Sequence, residues 1–420
     1  MILIKAKSAL WLCIIVAAFT TINAQQGSPR SDWFQWRGPN RDGLVTSFSA
    51  PAKWPEKLTQ KWKTPIGSGY SSPVVSGSRI YVHTRQDEQE TVSCLDLNTG
   101  KLLWSRSYAA PFTKNQYARQ MDKGPFSTPV LSAGKLYTLG AAAILSCFDA
   151  NTGELKWRKD YSQYADTSKL FCGTAMSPVV DRGLLIVHVG DDRKGWVVAF
   201  DAESGQERWK WEGDGPGYAS PIIVELGGER QAVTLTDKSV ISIAVGSGKL
   251  LWKLPHSDEW NENIITPVLY GQTLIISGVR KGTRAIKVTK EGDRWTLAEV
   301  WHNPQIAMYM SSPVLDGDLL YGLSHLRKGQ YFCLDAKTGK TLWTTEGREG
   351  TNAAVLHSQK LIFVLTDDAN LIVAGKSAKG FEPIQRYKVA DSPTWAQPVI
   401  LGRQVLIKDA SSLTLWSLDS

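Results

Sequence analysis

The sequence predicts an all-β protein folded as a single eight-bladed β-propeller of four-stranded antiparallel blades; seven blades is the alternative count. Three observations carry this expectation: an opening signal recurs eight times, a closing signal alternates with it, and the period of about 45 residues fits four short strands. Alternating runs such as RIYVHT, LLIVHV, TLIISG and KLIFVL supply the second strand of each unit, and helical periodicity is nearly absent.

The openings read SSPVV at Ser71, STPVL at Ser127, MSPVV at Met176, ASPII at Ala219, ITPVL at Ile265, SSPVL at Ser311, a degenerate NAAVL at Asn352, and AQPVI at Ala396, spaced 41 to 56 residues apart. The closings read LDLNTGKLLW ending at Trp104, FDANTGELKW at Trp157, FDAESGQERW at Trp209, IAVGSGKLLW at Trp252 and LDAKTGKTLW at Trp343. Each packs strand, turn and strand together. The Asp accepts hydrogen bonds from turn amides, Thr or Ser reinforces them, and Gly supplies a positive φ. The Trp then falls on the outer strand, where its large apolar area can clamp the neighbouring blade. Blade five lacks the turn but offers Trp301 in GDRWTLAEVW, and in blade seven, GFEPIQRYKV, Tyr387 is the expected substitute.

The eighth blade joins the two ends of the chain. Trp416 to Asp419 is a closing motif that has reached its Asp, and LTQKW, Leu58 to Trp62, reads like the missing outer strand. An N-terminal strand completing the last blade closes the ring and removes two exposed edges. Trp62 becomes a further clamp, and the propeller runs over residues 58–420.

Residues 1–24 read as a secretory signal peptide: Lys5 and Lys7, an apolar run from Ala9 to Phe19, then a polar stretch ending at Ala24. The run is short for a membrane span, and Leu10-Trp11-Leu12 before Cys13 lacks the small residues of a lipoprotein box. A periplasmic or secreted protein starting near Gln25 is expected, not a lipoprotein, with residues 25–57 as an N-terminal extension. Cys94, Cys147 and Cys333 share one repeat position, filled by Ala199 in blade three; the slot calls for a small buried side chain, and free thiols are preferred to disulfides. Cys172 has no repeat equivalent. The formal charge of +8 is spread along the chain with no basic arm, so no nucleic-acid partner is expected.

The Asp-x-x-Thr-Gly-x-x-x-Trp closing motif resembles the repeats of pyrroloquinoline quinone (PQQ)-dependent alcohol dehydrogenases and of BamB, the lipoprotein propeller of the outer-membrane protein assembly machine. WFQWRGPNRDG, Trp33 to Gly43, followed by GSGYSSPVV, is similar to exported bacterial PQQ-binding-like propellers. The resemblance covers residues 58–420 and speaks for architecture, since the repeat carries packing and not chemistry. In the alcohol-oxidising family it implies PQQ on an aromatic floor beneath adjacent disulfide-bonded cysteines, a Ca²⁺ that polarises the quinone, and an Asp base. This sequence has no Cys-Cys pair, no C-x-x-C-H haem site and no large catalytic insertion; it also lacks H-E-x-x-H, G-x-S-x-G and Walker motifs. Asp191-Asp192 and Asp367-Asp368 read as solvated turn acids. His83, His188 and His325 sit on different blades and are not expected to converge on a metal.

A ligand or partner would sit at the mouth of the central channel. Three residues before each opening Pro, or its equivalent in blade seven, the chain places Tyr70, Phe126, Ala175, Tyr218, Ile264, Met310, Thr351 and Trp395. This aromatic-rich ring either plugs the channel against water, the preferred reading, or offers a stacking platform. Two long connections, Ser105 to Phe126 and Arg158 to Met176, add Phe112, Tyr117, Tyr161, Tyr164 and Phe171 as exposed aromatics, while Glu262, Arg348 and Glu349 fall in mouth loops. They suit a protein or glycan surface, or a lid. The WFQWRGPNRDG segment is expected to lie pinned across the propeller. The sequence thus points to an exported, non-catalytic, monomeric scaffold with a protein partner at the mouth, in envelope or outer-membrane protein assembly. The alternative is a PQQ-dependent oxidoreductase, with PQQ and Ca²⁺ as its cofactors, acting on alcohols or sugars.

Overall fold

The structure, a computed structural model, describes residues 32–257, 260 and 262–419, so the expected signal peptide lies outside the described residues. Its strands form eight separate four-stranded antiparallel sheets. Blades 1 to 7 follow one another along the chain, each running from a short inner strand such as Val74–Ser76 to an outer strand such as Leu102–Ala109. Blade 8 takes three strands from Val399–Leu401, Gln404–Lys408 and Ser412–Ser417, and its outer strand from Thr59–Pro65. Trp62 pairs with Leu415 across that joint. Among the described residues no helix is long and apolar enough to cross a membrane.

The closing motif is one half of a contact whose other half is the same motif in the next blade. Trp104 donates its indole N–H to Ala150 O at 3.2 Å, Trp157 to Ala202 O at 3.3 Å, and Trp301 to Ala336 O at 3.0 Å. Trp62 reaches Leu97 O at 2.9 Å, and Trp209 reaches Val245 O at 2.7 Å. In each case the acceptor is the residue just after the turn Asp or, in blade 4, Ala244. The turn itself is held as expected: Asp96 Oδ1 accepts from Thr99 N at 2.9 Å and Thr99 Oγ1 at 2.7 Å. The turn glycine then lies under the docked indole. A methyl group on Gly100 would meet Trp62 at 2.6 Å, and one on Gly153 would meet Trp104 at 2.5 Å.

The small-residue slot has its reason in strand register. Cys94 lies directly opposite Trp104, Cys147 opposite Trp157, Cys333 opposite Trp343 and Ala199 opposite Trp209, each next to a β-bulge. A larger side chain there would compete with the indole for one space. The three cysteines are buried and free, and burial pushes the Cys147 and Cys333 thiols up to about 12.

The degenerate blades depart in two ways. Blade 5 offers no Asp turn, and Trp252 turns its N–H inward to Gln231 Oε1 of its own blade at 3.0 Å, while its ring packs with Ile286 and Val288. In blade 7 the register corrects the sequence reading. Gln385, not Tyr387, sits opposite Val373 at the bulge where the other blades have Trp. Tyr387, two residues on, is buried and donates to Pro55 O at 3.0 Å, so it packs against the N-terminal extension.

The opening Ser/Thr-Pro pairs form a second ring-closing device, unread in the sequence. Ser72 N donates to Thr128 Oγ1, Thr128 N to Ser177 Oγ, Ser177 N to Ser220 Oγ, Ser220 N to Thr266 Oγ1, and Thr266 N to Ser312 Oγ, at 2.9–3.3 Å. Gln397 N closes the circle onto Ser72 Oγ at 2.8 Å. This belt of hydroxyls around the channel satisfies backbone N–H groups that no ladder reaches. It is interrupted on both sides of blade 7, where Ala353 and, in blade 8, Gln397 take the hydroxyl's place, and Ala353 N donates to Ser311 Oγ at 2.9 Å.

Candidate functional site

The connections between blades bring Tyr70, Phe126, Ala175, Tyr218, Ile264, Met310 and Trp395 together on the wall of one cavity at the channel mouth. Thr351 is the exception. Blade 7 has no opening Pro, so its inner strand starts early, at Ala353, and Thr351 is left exposed on Asp367 while Asn352 lines the channel. The sequence ring also omitted Trp36, Met121, Phe171 and Cys172, which share the wall.

The ring packs against itself. Tyr70 stacks on Trp395 with centroids 5.4 Å apart and meets Phe126 edge-on at 5.6 Å. Its hydroxyl accepts from Asp122 N at 3.2 Å, and the Tyr218 hydroxyl accepts from Phe171 N at 2.7 Å. Burial raises both phenol pKa values. The two long connections are thus tied down over the mouth, and Asn115 Nδ2 links them by donating to Lys169 O at 3.2 Å. Phe112, expected to be exposed, is buried with Tyr108 and Ala142 between blades 1 and 2; Tyr117 and Tyr164 are the exposed aromatics of these loops. Arg348 and Glu349 pair by backbone with Arg327 and Gly329 and line neither the channel nor the cleft beside it.

The other end of the channel is closed by the N-terminal segment. Trp33 pairs with Val75 of blade 1, Phe34 O accepts from Leu131 N of blade 2, and Val45 N donates to His357 O of blade 7. Arg41 donates to Ser177 O and Pro178 O of blade 3 at 3.0 and 2.9 Å, and Arg37 to Pro313 O of blade 6. Both guanidiniums are buried and flank Trp36 at 5.4 and 5.7 Å from its ring centroid. Burial lowers them to about 10 for Arg37 and about 9 for Arg41. Their partners are carbonyls of blades three apart in the ring, so the segment is a strut across the channel.

What remains of the channel is about 170 Å³, below the roughly 300–1,000 Å³ of small-molecule sites. Among the described residues no charged side chain lines it. A planar tricarboxylate needs a slot and cations, and a Ca²⁺ partner needs carboxylates; these residues do not fit PQQ with Ca²⁺. Among the described residues no group of three His, Cys, Asp or Glu could hold a metal. His188 is buried, which lowers it to about 4, and His325 lies edge-on to Tyr309 at 6.3 Å. Asp191 is a buried turn acceptor for Arg193 N and Asp166 N.

His83 belongs to a buried network that the sequence did not reveal. Glu90 accepts from Tyr108 Oη at 2.8 Å, from Arg85 Nη2 at 3.1 Å and from Ala141 N of blade 2 at 2.9 Å, with His83 Nε2 at 3.4 Å. Burial opposes the Glu90 charge, but these partners hold its pKa below the usual carboxylate value. The network spans the joint between blades 1 and 2.

Outside the channel, the same face carries a cleft of about 670 Å³ walled by both long connections, hairpin turns of blades 3 and 4, and the loops before blades 4, 5 and 6. Tyr117, Phe171, Tyr218, Trp260 and Tyr309 share it with Asp192, Asp237, Glu262 and Lys169.

Comparison with known proteins agrees with this architecture. BamB of Bordetella pertussis is 28% identical over 211 residues, 49% of this chain and 45% of that protein, so the chain spans about half the length of such a relative. Subunit 1 of the methanol dehydrogenase of Paracoccus denitrificans is 26% identical over 231 residues, 50% of this chain and 34% of that one. The crystal structure of BamB from Moraxella catarrhalis superposes with a TM-score of 0.59 at 14% identity, covering 86% of this chain and 99% of that one. Residues 88–345 and 323–380 match the family described as outer membrane protein assembly factor BamB, and the chain belongs to that family of PQQ-like repeat β-propellers.

Proposed function

We propose that this chain is an exported, non-catalytic propeller of outer-membrane protein assembly that binds a protein partner through the loops around its channel mouth. One observation supports this above others: the mouth is filled by its own stacked aromatics, leaving about 170 Å³ without a charged group. Recognition then moves to the outer surface of the tied-down connections, where Tyr117 and Tyr164 are exposed. Family membership and the assembly-factor names of its relatives supply the process. A periplasmic or secreted location, with residues 1–24 as leader, belongs to the same reading.

Cross-linked pull-downs from bacterial envelopes test it. Trp395→Ala combined with Tyr218→Ala removes the stacking partner of Tyr70 and the tether on Phe171 N, and is expected to lose the partner; unchanged capture of every partner refutes a mouth site. The methanol dehydrogenase relative motivates a second reading as a quinoprotein oxidoreductase. Titration with PQQ and Ca²⁺, following tryptophan fluorescence and dye-linked oxidation of alcohols and sugars, separates the two. No quenching and no turnover are expected, whereas saturable quenching with turnover would replace the scaffold by the enzyme.

A further inference from the structure

The cleft beside the closed channel has the volume of a ligand site, and its wall favours one kind of ligand. Three carboxylates, Asp192, Asp237 and Glu262, face one lysine, Lys169. Glu262 already accepts from Tyr309 Oη at 2.5 Å. Asp237 is only 6% exposed, yet its Oδ1 has no hydrogen-bond partner. The other oxygen has Lys238 Nζ at 3.7 Å, beyond hydrogen-bond length, from a side chain that is half exposed and worth little as an ion pair. A buried acceptor without a donor is rare in a folded protein, so a donor brought by a ligand would be favoured there.

The aromatic part of the wall points the same way. Tyr117 and Trp260 are 80% and 51% exposed. The Arg280 guanidinium lies 5.2 Å from the Trp260 ring centroid, so the chain itself already places a cation against this wall. An anion would be repelled by the carboxylates, and a sugar would use the rings without needing the charge excess.

We propose that this cleft binds an organic cation, a primary ammonium or guanidinium on an apolar stem, with Asp237 as the charge partner and Tyr117 and Trp260 flanking the stem. A free polyamine and a basic side chain of a peptide present the same group. The site goes beyond the partner reading and can fail while that reading stands, because its probes are small and its main test variant, Asp237→Asn, leaves Tyr218 and Trp395 of the mouth double variant intact.

Calorimetric titration of the whole chain tests it with four probes: spermidine, acetyl-Gly-Gly-Lys-Gly-Gly-amide, the same peptide with norleucine for lysine, and cellotriose. Both cationic probes are expected to bind saturably, about tenfold tighter than the norleucine peptide. The isosteric Asp237→Asn should weaken them about tenfold without lowering the unfolding midpoint. Should that variant fail to fold, Asp192→Asn and Tyr117→Ala, both at exposed positions, are expected to weaken the same probes about threefold. Tighter binding of the peptide identifies a basic peptide as the occupant and tighter binding of spermidine a free amine; either supports the site. Equal affinity for lysine and norleucine peptides, preference for cellotriose, or cation binding unchanged in Asp237→Asn would overturn it.

Discussion

Replacing Gly153 by alanine isolates the contact that joins one blade to the next. Gly153 has φ +71° and a Cβ there would meet Trp104 Cε3 at 2.5 Å, whereas Gly183, in the first hairpin of blade 3, has φ +81° with nothing within 4 Å. Both substitutions carry the left-handed strain of a residue with a Cβ, about 1–2 kcal/mol. Only Gly153→Ala adds overpacking against a ring that strand register holds opposite Cys94 and that donates to Ala150 O, about 1–3 kcal/mol more. The expected costs are therefore about 2–5 kcal/mol at Gly153 and about 1–2 kcal/mol at Gly183. Urea unfolding reads the gap as a difference in midpoint at similar slope. In a Trp104→Leu background the ring is gone, and the Gly153→Ala cost should fall to that at Gly183, a coupling of about 1–3 kcal/mol. Equal costs at the two glycines, or a Gly153 cost indifferent to Trp104, would refute the docking explanation of the motif.

Glu90→Ala leaves Arg85 buried without its carboxylate and should cost about 3–5 kcal/mol by urea unfolding, far more than an exposed acid such as Asp293. Because the folded pKa of Glu90 lies below its unfolded value, its contribution is complete above about pH 4.3 and is lost as pH falls through the folded value. Stability of Glu90→Gln, measured from pH 6 downward, should lack that part of the acid decline. Thr128→Ala removes the acceptor for Ser72 N and should cost about 1–3 kcal/mol, while Ser127→Ala, whose buried hydroxyl has no partner, should be neutral or stabilising in the same assay. With Cys147, Cys172 and Cys333 raised to about 12 and Cys94 also raised, thiol reagents at neutral pH should label the native chain slowly and all four thiols rapidly in denaturant.

The blades were legible because each repeats a local instruction. Asp, Thr, Gly and Trp at fixed spacing declare a turn and a clamp wherever they occur, and the LTQKW strand could be matched to the unfinished last blade by the same spacing. What the spacing could not show was direction across space. That Trp104 docks on the turn of Gly153, and that Thr128 receives Ser72 N, are relations between units 40 to 60 residues apart that only the assembled ring defines. The mouth was read by counting back from each proline, and the count failed at Thr351, where there is no proline to fix where the inner strand begins. The Glu90 network and the cleft were illegible for a different reason: they draw on single residues from several blades with no repeated equivalents.

Blade 7 shows how a repeat protein tolerates the loss of its own rules. It has no opening hydroxyl, no Asp turn and no outer Trp, so three devices that hold the other joints are missing at one place. Trp416 of blade 8 instead donates back to Val389 O at 3.1 Å, and Trp343 of blade 6 reaches Ser377 O at 2.8 Å. The N-terminal extension does the rest: Leu44 bridges to His357, Phe48 meets Phe363 edge-on at 4.8 Å, and Pro55 O receives the Tyr387 hydroxyl. The same extension then enters blade 8 as its outer strand. One stretch of chain therefore spans the channel, props the weakest blade and closes the ring. Its aromatic and arginine content follows from these structural tasks, so its tryptophans are not evidence of a cofactor.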